Sequence, residues 1–133
     1  AWSLYPLGCL LMLIEEKKIF TRGADIWIYS DIPLGKGVSS SAALEVAALS
    51  ALARLHGVVL TDMELPIMAQ KVENKLVGAP CGLMDQIASY FGVEHSLLPI
   101  LCQPGETSAP VPIPNDVHFI GIDSGVRHEV QGA

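Results

Sequence analysis

Three consecutive serines, Ser39, Ser40 and Ser41, follow two glycines, Gly35 and Gly37, and precede an alanine-rich run from Ala42 to His56. Hydroxyls so placed can donate to phosphate oxygens or lend a lone pair to a metal ion, and glycines let the backbone approach an anion closely. Two carboxylates further on, Glu73 and Asp85, have positions that invite chemistry. Glu73 falls near the C-terminal end of a helical pattern, where the macrodipole disfavours negative charge and a cation is wanted. Lys71 or Lys75 would make that cation part of a solvated ion pair. Mg²⁺ is the functional alternative, since it takes only one or two protein oxygens beside phosphates and water. Asp85 falls in the first turn of a short helical pattern, where free N–H groups complement its charge. It is placed either to accept a proton or simply to balance the dipole.

The elements around these residues must position them. A strand-like run, Asp25 to Ser30, leads toward Pro33, which cannot continue a central strand. Strand, Gly/Ser loop and helix start form the arrangement that holds phosphates on the unpaired N–H groups of the first helical turn. The plainer reading is a glycine turn with serine N-caps, but three serines exceed what one cap requires. Two familiar phosphate loops do not fit. A Walker A loop needs Gly-Lys-Ser/Thr, whereas Lys36 is followed by Gly37. A dinucleotide fingerprint needs a third glycine, and Ser40 occupies its place.

The segment Pro33-x-Gly35-x-Gly37-Val38-Ser39-Ser40-Ser41-Ala42-Ala43 resembles the second motif of the GHMP kinases. Val77-Gly78-Ala79-Pro80-Cys81-Gly82-Leu83-Met84-Asp85-Gln86 resembles the sugar-1-kinase branch of that superfamily, the galactokinases and L-arabinokinases. Lys36, Gln70-Lys71-Val72-Glu73-Asn74, Cys102-Gln103-Pro104 and Gly121 to His128 are similar to the arabinokinase-like members. The resemblance implies an α/β two-layer fold, the nucleotide-binding half of the GHMP kinase fold (ribosomal protein S5 domain 2-like). It implies ATP-dependent phosphorylation of the anomeric hydroxyl of galactose or L-arabinose. Gly35, Gly37, Ser39 and Ser40 would then bind ATP, Ser41 and Glu73 would hold Mg²⁺, and Gly82 and Asp85 would meet the sugar, with Asp85 as catalytic base. Another GHMP small-molecule kinase, such as a heptose kinase, and a catalytically silent nucleotide- or sugar-binding module are the alternatives. The family's first motif would precede Ala1 and its third would follow Ala133, so residues 1–133 read as one partial domain, inactive by itself.

Composition narrows the partners. The chain has 133 residues and no initiator methionine, with 14 acidic against 8 basic side chains and a formal net charge of −6. No Lys/Arg cluster is present to neutralise a nucleic-acid backbone, so a nucleic-acid partner is not expected. Cys9, Cys81 and Cys102 are odd in number and widely spaced, which fits reduced thiols in a cytoplasmic protein. The apolar run Leu7 to Ile14 is too short to span a bilayer and has no basic segment before it, so no membrane association is expected. A mean hydropathy of +0.42 fits a core segment of a larger fold, which by itself exposes apolar surface and self-associates.

The remaining pattern is mostly helical. Trp2 to Lys17 reads as a helix with Trp2 as a core anchor; the resemblance would instead place that aromatic at the rim of an adenine pocket. Leu44, Ala48, Leu52 and Leu55 form the apolar stripe of the next helix, stopped by Gly57. Thr61-Asp62-Met63-Glu64 is a capping box, stapled by Leu60 and Leu65. Leu65, Ala69, Val72 and Leu76 then face the core, with Pro66 near the first turn. A short helix from Leu83 to Phe91 ends at Gly92. His95 to Cys102 and Val117 to Asp123 read as strands, and Pro110, Pro112 and Pro114 suit an edge or an extended linker. Asp123, Ser124 and His128 do not make a hydrolase, because no Gly-x-Ser-x-Gly elbow is present.

Overall fold

A computed structural model of the protein describes residues 2–126. Four α-helices come first: α1 (Leu4–Lys17), α2 (Ser40–Leu55), α3 (Glu64–Lys71) and α4 (Met84–Phe91). A π-helical segment, Val72–Val77, continues α3 without a break. Four two-residue strands follow. β1 (Ser96–Leu97) pairs antiparallel with β4 (Val111–Pro112), and β2 (Ile100–Leu101) pairs antiparallel with β3 (Glu106–Thr107).

The helices supply the core because their apolar residues recur with helical spacing. α2 packs against α1, α3 and α4, and α1 also packs against the π segment. Cys9, Leu13, Leu49, Met68, Ala69 and Val72 are fully or almost fully buried where these elements meet. Gly8 makes the α1–π contact possible, since a Cβ at this position would stand 2.6 Å from Val72 Cγ1. α2 ends in a Schellman pattern, with the Gly57 N–H donating to the Arg54 carbonyl and the Val58 N–H donating to the Ala53 carbonyl. Half of the expected capping box forms at α3: Glu64 Oε2 accepts the Thr61 N–H at 2.8 Å. Pro66 is buried in the first turn of α3, where its missing N–H leaves no helical bond unmade.

Several expectations are corrected. Leu55 is exposed, because it is the last residue of α2. Trp2 is exposed rather than a core anchor, since it precedes the first turn of α1. Leu76 is partly exposed because the wider π turn carries it off the stripe that Leu65, Ala69 and Val72 maintain. Asp25 to Ser30 joins no ladder among the described residues, and neither does Val117 to Asp123. His95 to Cys102 is two short strands separated by Leu98 and Pro99. A strand exists only when a partner accepts its backbone groups. Trp27, Phe119, Ile120 and Ile122 accordingly remain exposed. Among the described residues no helix is long and apolar enough to cross a membrane.

Candidate functional site

The Gly/Ser loop turns onto α2 through an unusual backbone. Gly35 and Gly37 adopt positive φ (67° and 72°), and so does Ser39 (φ 57°), the N-cap of α2. A non-glycine residue in this left-handed region costs about 1–2 kcal/mol, and such strain collects at functional sites. The Ser39 side chain makes no capping hydrogen bond. The plainer reading, serines serving as helix caps, is therefore not what this loop does. Ser40 and Ser41 are the first two residues of α2, so their N–H groups belong to the unpaired set at the positive end of the dipole.

A second wall comes from α3, the π segment and the loop after it. Gln70 and Asn74, four residues apart, grip the same stretch of backbone. Gln70 Nε2 donates to the Cys81 carbonyl at 3.0 Å, and the Cys81 N–H donates to Asn74 Oδ1 at 2.7 Å. Between them, Glu73 is buried, where the sequence left open a solvated pair with Lys71 or Lys75. Lys71 binds Glu16 instead, at 2.7 Å. Glu73 Oε2 accepts from Gln86 Nε2 at 2.8 Å and lies 3.4 Å from Cys81 Sγ. Desolvation, with the neighbouring Glu73 charge also contributing, pushes the Cys81 thiol up to about 12. It is a packed thiol and not a nucleophile.

These walls enclose a cavity of about 550 Å³. Gly35, Gly37, Ser39, Ser40, Ser41, Glu73 and Asp85 all line it, although they come from the loop, α2, the π segment and α4. Of the residues singled out from sequence, Gly82 stands apart: it is exposed, does not line the cavity, and has open space where a side chain would be. Lys36 lies on the loop yet pairs with Asp123 at 2.9 Å and is not part of the lining. Of the motif from Gly121 to His128, Arg127 and His128 lie outside the described residues.

Sequence reasoning missed three polar residues here. Tyr5 on α1 borders the cavity, and its hydroxyl is raised first by burial and then by the Glu73 and Glu45 carboxyls. Glu45 on α2 is fully buried, and burial, reinforced by the Glu73 charge, pushes it up to about 8. Gln86 on α4 is fully buried between the two acids. A signal for Glu45 existed, since it falls on the same helical face as Ala42, Val46 and Leu49. A charged residue inside an apolar stripe needs a buried partner.

The donor set suits a magnesium nucleotide: a hydroxyl (Ser41) and a carboxylate (Glu73) face one cavity beside a helix N-terminus. Residues 5–93 match the family model described as the GHMP kinases N terminal domain. The chain belongs to the GHMP kinase family. It is 50% identical over 133 residues to an L-arabinokinase of Arabidopsis thaliana, covering 99% of this chain and 13% of that protein. It is 40% identical over 129 residues to a galactokinase of Haemophilus influenzae (strain PittEE), covering 97% of this chain and 33% of that enzyme. A galactokinase of Chloroflexus aurantiacus is 44% identical over 132 residues, covering 99% and 33%. The chain therefore spans about a third of the length of these galactokinases and a smaller share of the arabinokinase.

Proposed function

We propose that this GHMP kinase chain supplies the phosphate-binding, metal-binding and proton-accepting part of an ATP-dependent sugar-1-kinase acting on galactose or L-arabinose. The observation that carries the reading is the single cavity that gathers the Gly/Ser loop, Glu73 and Asp85. The backbone N–H groups around Gly35, Gly37, Ser39 and Ser40 bind the nucleotide phosphates, using the free donors and the dipole of α2. Ser41 and Glu73 hold Mg²⁺, which when bound offsets the negative charge of the transferring phosphoryl group. Asp85 orients the anomeric hydroxyl and accepts its proton as the oxygen is phosphorylated.

Among the described residues, the cavity lining contains no Lys or Arg. Phosphoryl transfer relies on cationic groups around the developing charge. The activity is proposed for the longer polypeptide and not for residues 1–133 by themselves, which span about a third of the length of the galactokinases they match. Product identification tests the reading. The longest natural polypeptide carrying this chain is incubated with MgATP and each sugar, and the product is examined by ³¹P NMR. Phosphate on the anomeric carbon supports the assignment; phosphate on another hydroxyl, or none, contradicts it.

A further inference from the structure

The kinase reading uses Glu73 and Asp85 but leaves unused a fully buried polar side chain that lies against Glu73. Gln86 on α4 is adjacent in sequence to Asp85. Its Nε2 lies 2.8 Å from Glu73 Oε2 and 3.4 Å from Glu45 Oε2. A primary amide has two N–H donors on one nitrogen, so Gln86 can serve both acids at once. The opposite amide orientation would place its carbonyl oxygen against the Glu73 carboxylate at the same 2.8 Å, so that contact fixes the nitrogen toward it. Gln86 Oε1 is buried with no hydrogen-bond partner among the described residues, which leaves Nε2 as the atom that sets the side chain's orientation. Three elements meet at this nitrogen. Glu45 belongs to α2, the helix that begins with Ser40 and Ser41; Glu73 belongs to the π segment; Gln86 shares α4 with Asp85.

We infer that Gln86 is a positioning residue, its buried amide holding the Glu73 carboxylate in the orientation that metal binding requires and tying it to α2 and to the helix of Asp85. This rests on the proposed role of Glu73 as a metal ligand. Groups that orient metal ligands typically affect metal affinity by 10–100-fold, and a carboxylate free to rotate presents its oxygens less often in the binding geometry.

The test is a titration of Mn²⁺, followed by electron paramagnetic resonance, on the longest natural polypeptide with a non-hydrolysable ATP analogue and no sugar. Gln86→Met keeps the volume and removes the donor. It is expected to weaken Mn²⁺ roughly 10–100-fold while leaving affinity for the metal-free nucleotide unchanged. In a Glu73→Gln background, where there is no carboxylate to orient, the same substitution is expected to add nothing. Wild-type Mn²⁺ affinity in Gln86→Met, or an equal loss in both backgrounds, would overturn the inference. Should Gln86→Met not fold, Gln86→Asn, whose shorter amide cannot span the same distance, decides by the same titration. Unchanged Mn²⁺ affinity in Glu73→Gln alone is a distinct result: it removes the metal role of Glu73, and the inference with it.

Discussion

Glu45 and Glu73 bring two carboxyl groups to one buried amide, with Gln86 Nε2 3.4 Å from Glu45 Oε2 and 2.8 Å from Glu73 Oε2. Burial penalises the charge of Glu45, and the Glu73 charge beside it adds to the penalty, so Glu45 is pushed up to about 8 from an ordinary value of 4.5.

Stability should depend on pH through Glu45. Between about 4.5 and 8 the folded state binds more protons at this residue than the unfolded state does. Stability therefore falls as pH rises through that window, by at most about 1.4 kcal/mol per pH unit from this one group. It is fully present below the lower value and lost above the upper one. In metal-free protein, Glu45→Gln should flatten the decline, matching wild type near the acid end and exceeding it at the alkaline end. Denaturant titrations at a series of pH values check this; parallel wild-type and variant profiles would contradict it.

Ser39 should trade stability for function. Its positive φ costs a serine about 1–2 kcal/mol, a penalty glycine avoids. Glycine also loses more backbone entropy on folding, roughly 0.5–1 kcal/mol. Ser39→Gly should thus raise unfolding stability slightly, by up to about 1 kcal/mol. Nucleotide affinity should drop with the hydroxyl, which at this cavity-lining position can donate to a phosphate oxygen beside the backbone N–H groups. Thermal melting and isothermal titration with MgATP measure the two effects separately.

Gly8 should reject even one methyl group. Alanine gains about 1 kcal/mol in helix propensity. The added Cβ, however, would meet Val72 Cγ1 at 2.6 Å, and the branched valine has little rotamer freedom with which to retreat. Overpacking typically costs 1–3 kcal/mol, so the clash outweighs the gain. Gly8→Ala is expected to lower the denaturation midpoint, and Gly8→Ala/Val72→Ala to lie above the sum of the two single changes. A stabilised Gly8→Ala would show that the α1–π contact is looser than described.

The helices were legible in the sequence because their signals are local. The Ala42 to His56 run, the Gly57 stop and the Glu64–Thr61 cap all act within a few residues, and α2, its C-terminal turn and the cap formed close to where they were expected. The strands were not. In Asp25 to Tyr29, Ile26 and Ile28 are less exposed than Trp27 and Tyr29, so the alternation of a strand is present. Alternation cannot supply hydrogen-bond partners, and the described residues offer none.

The site divides the same way. Glycine and serine spacing marked the loop, and Glu73, buried, and Asp85, half-buried, line the cavity beside it. The role of Gln86 depends on α2, the π segment and α4 converging at one point, which no local pattern encodes. The π turn that carries Glu73 has the same local residue pattern as ordinary helix, so the sequence does not distinguish it.

The most direct measurement is sugar-dependent ADP release by the longest natural polypeptide carrying this chain, assayed with galactose, L-arabinose and water, in wild type and Asp85→Asn. The variant keeps the shape of the side chain and removes its basicity. Proton transfer by a positioned group typically contributes 10²–10⁴-fold. ADP release should therefore require one of the sugars and fall by roughly that factor in Asp85→Asn, with the sugar KM little changed. ADP release that ignores both sugars, or that survives intact in Asp85→Asn, would contradict a sugar kinase built on this cavity.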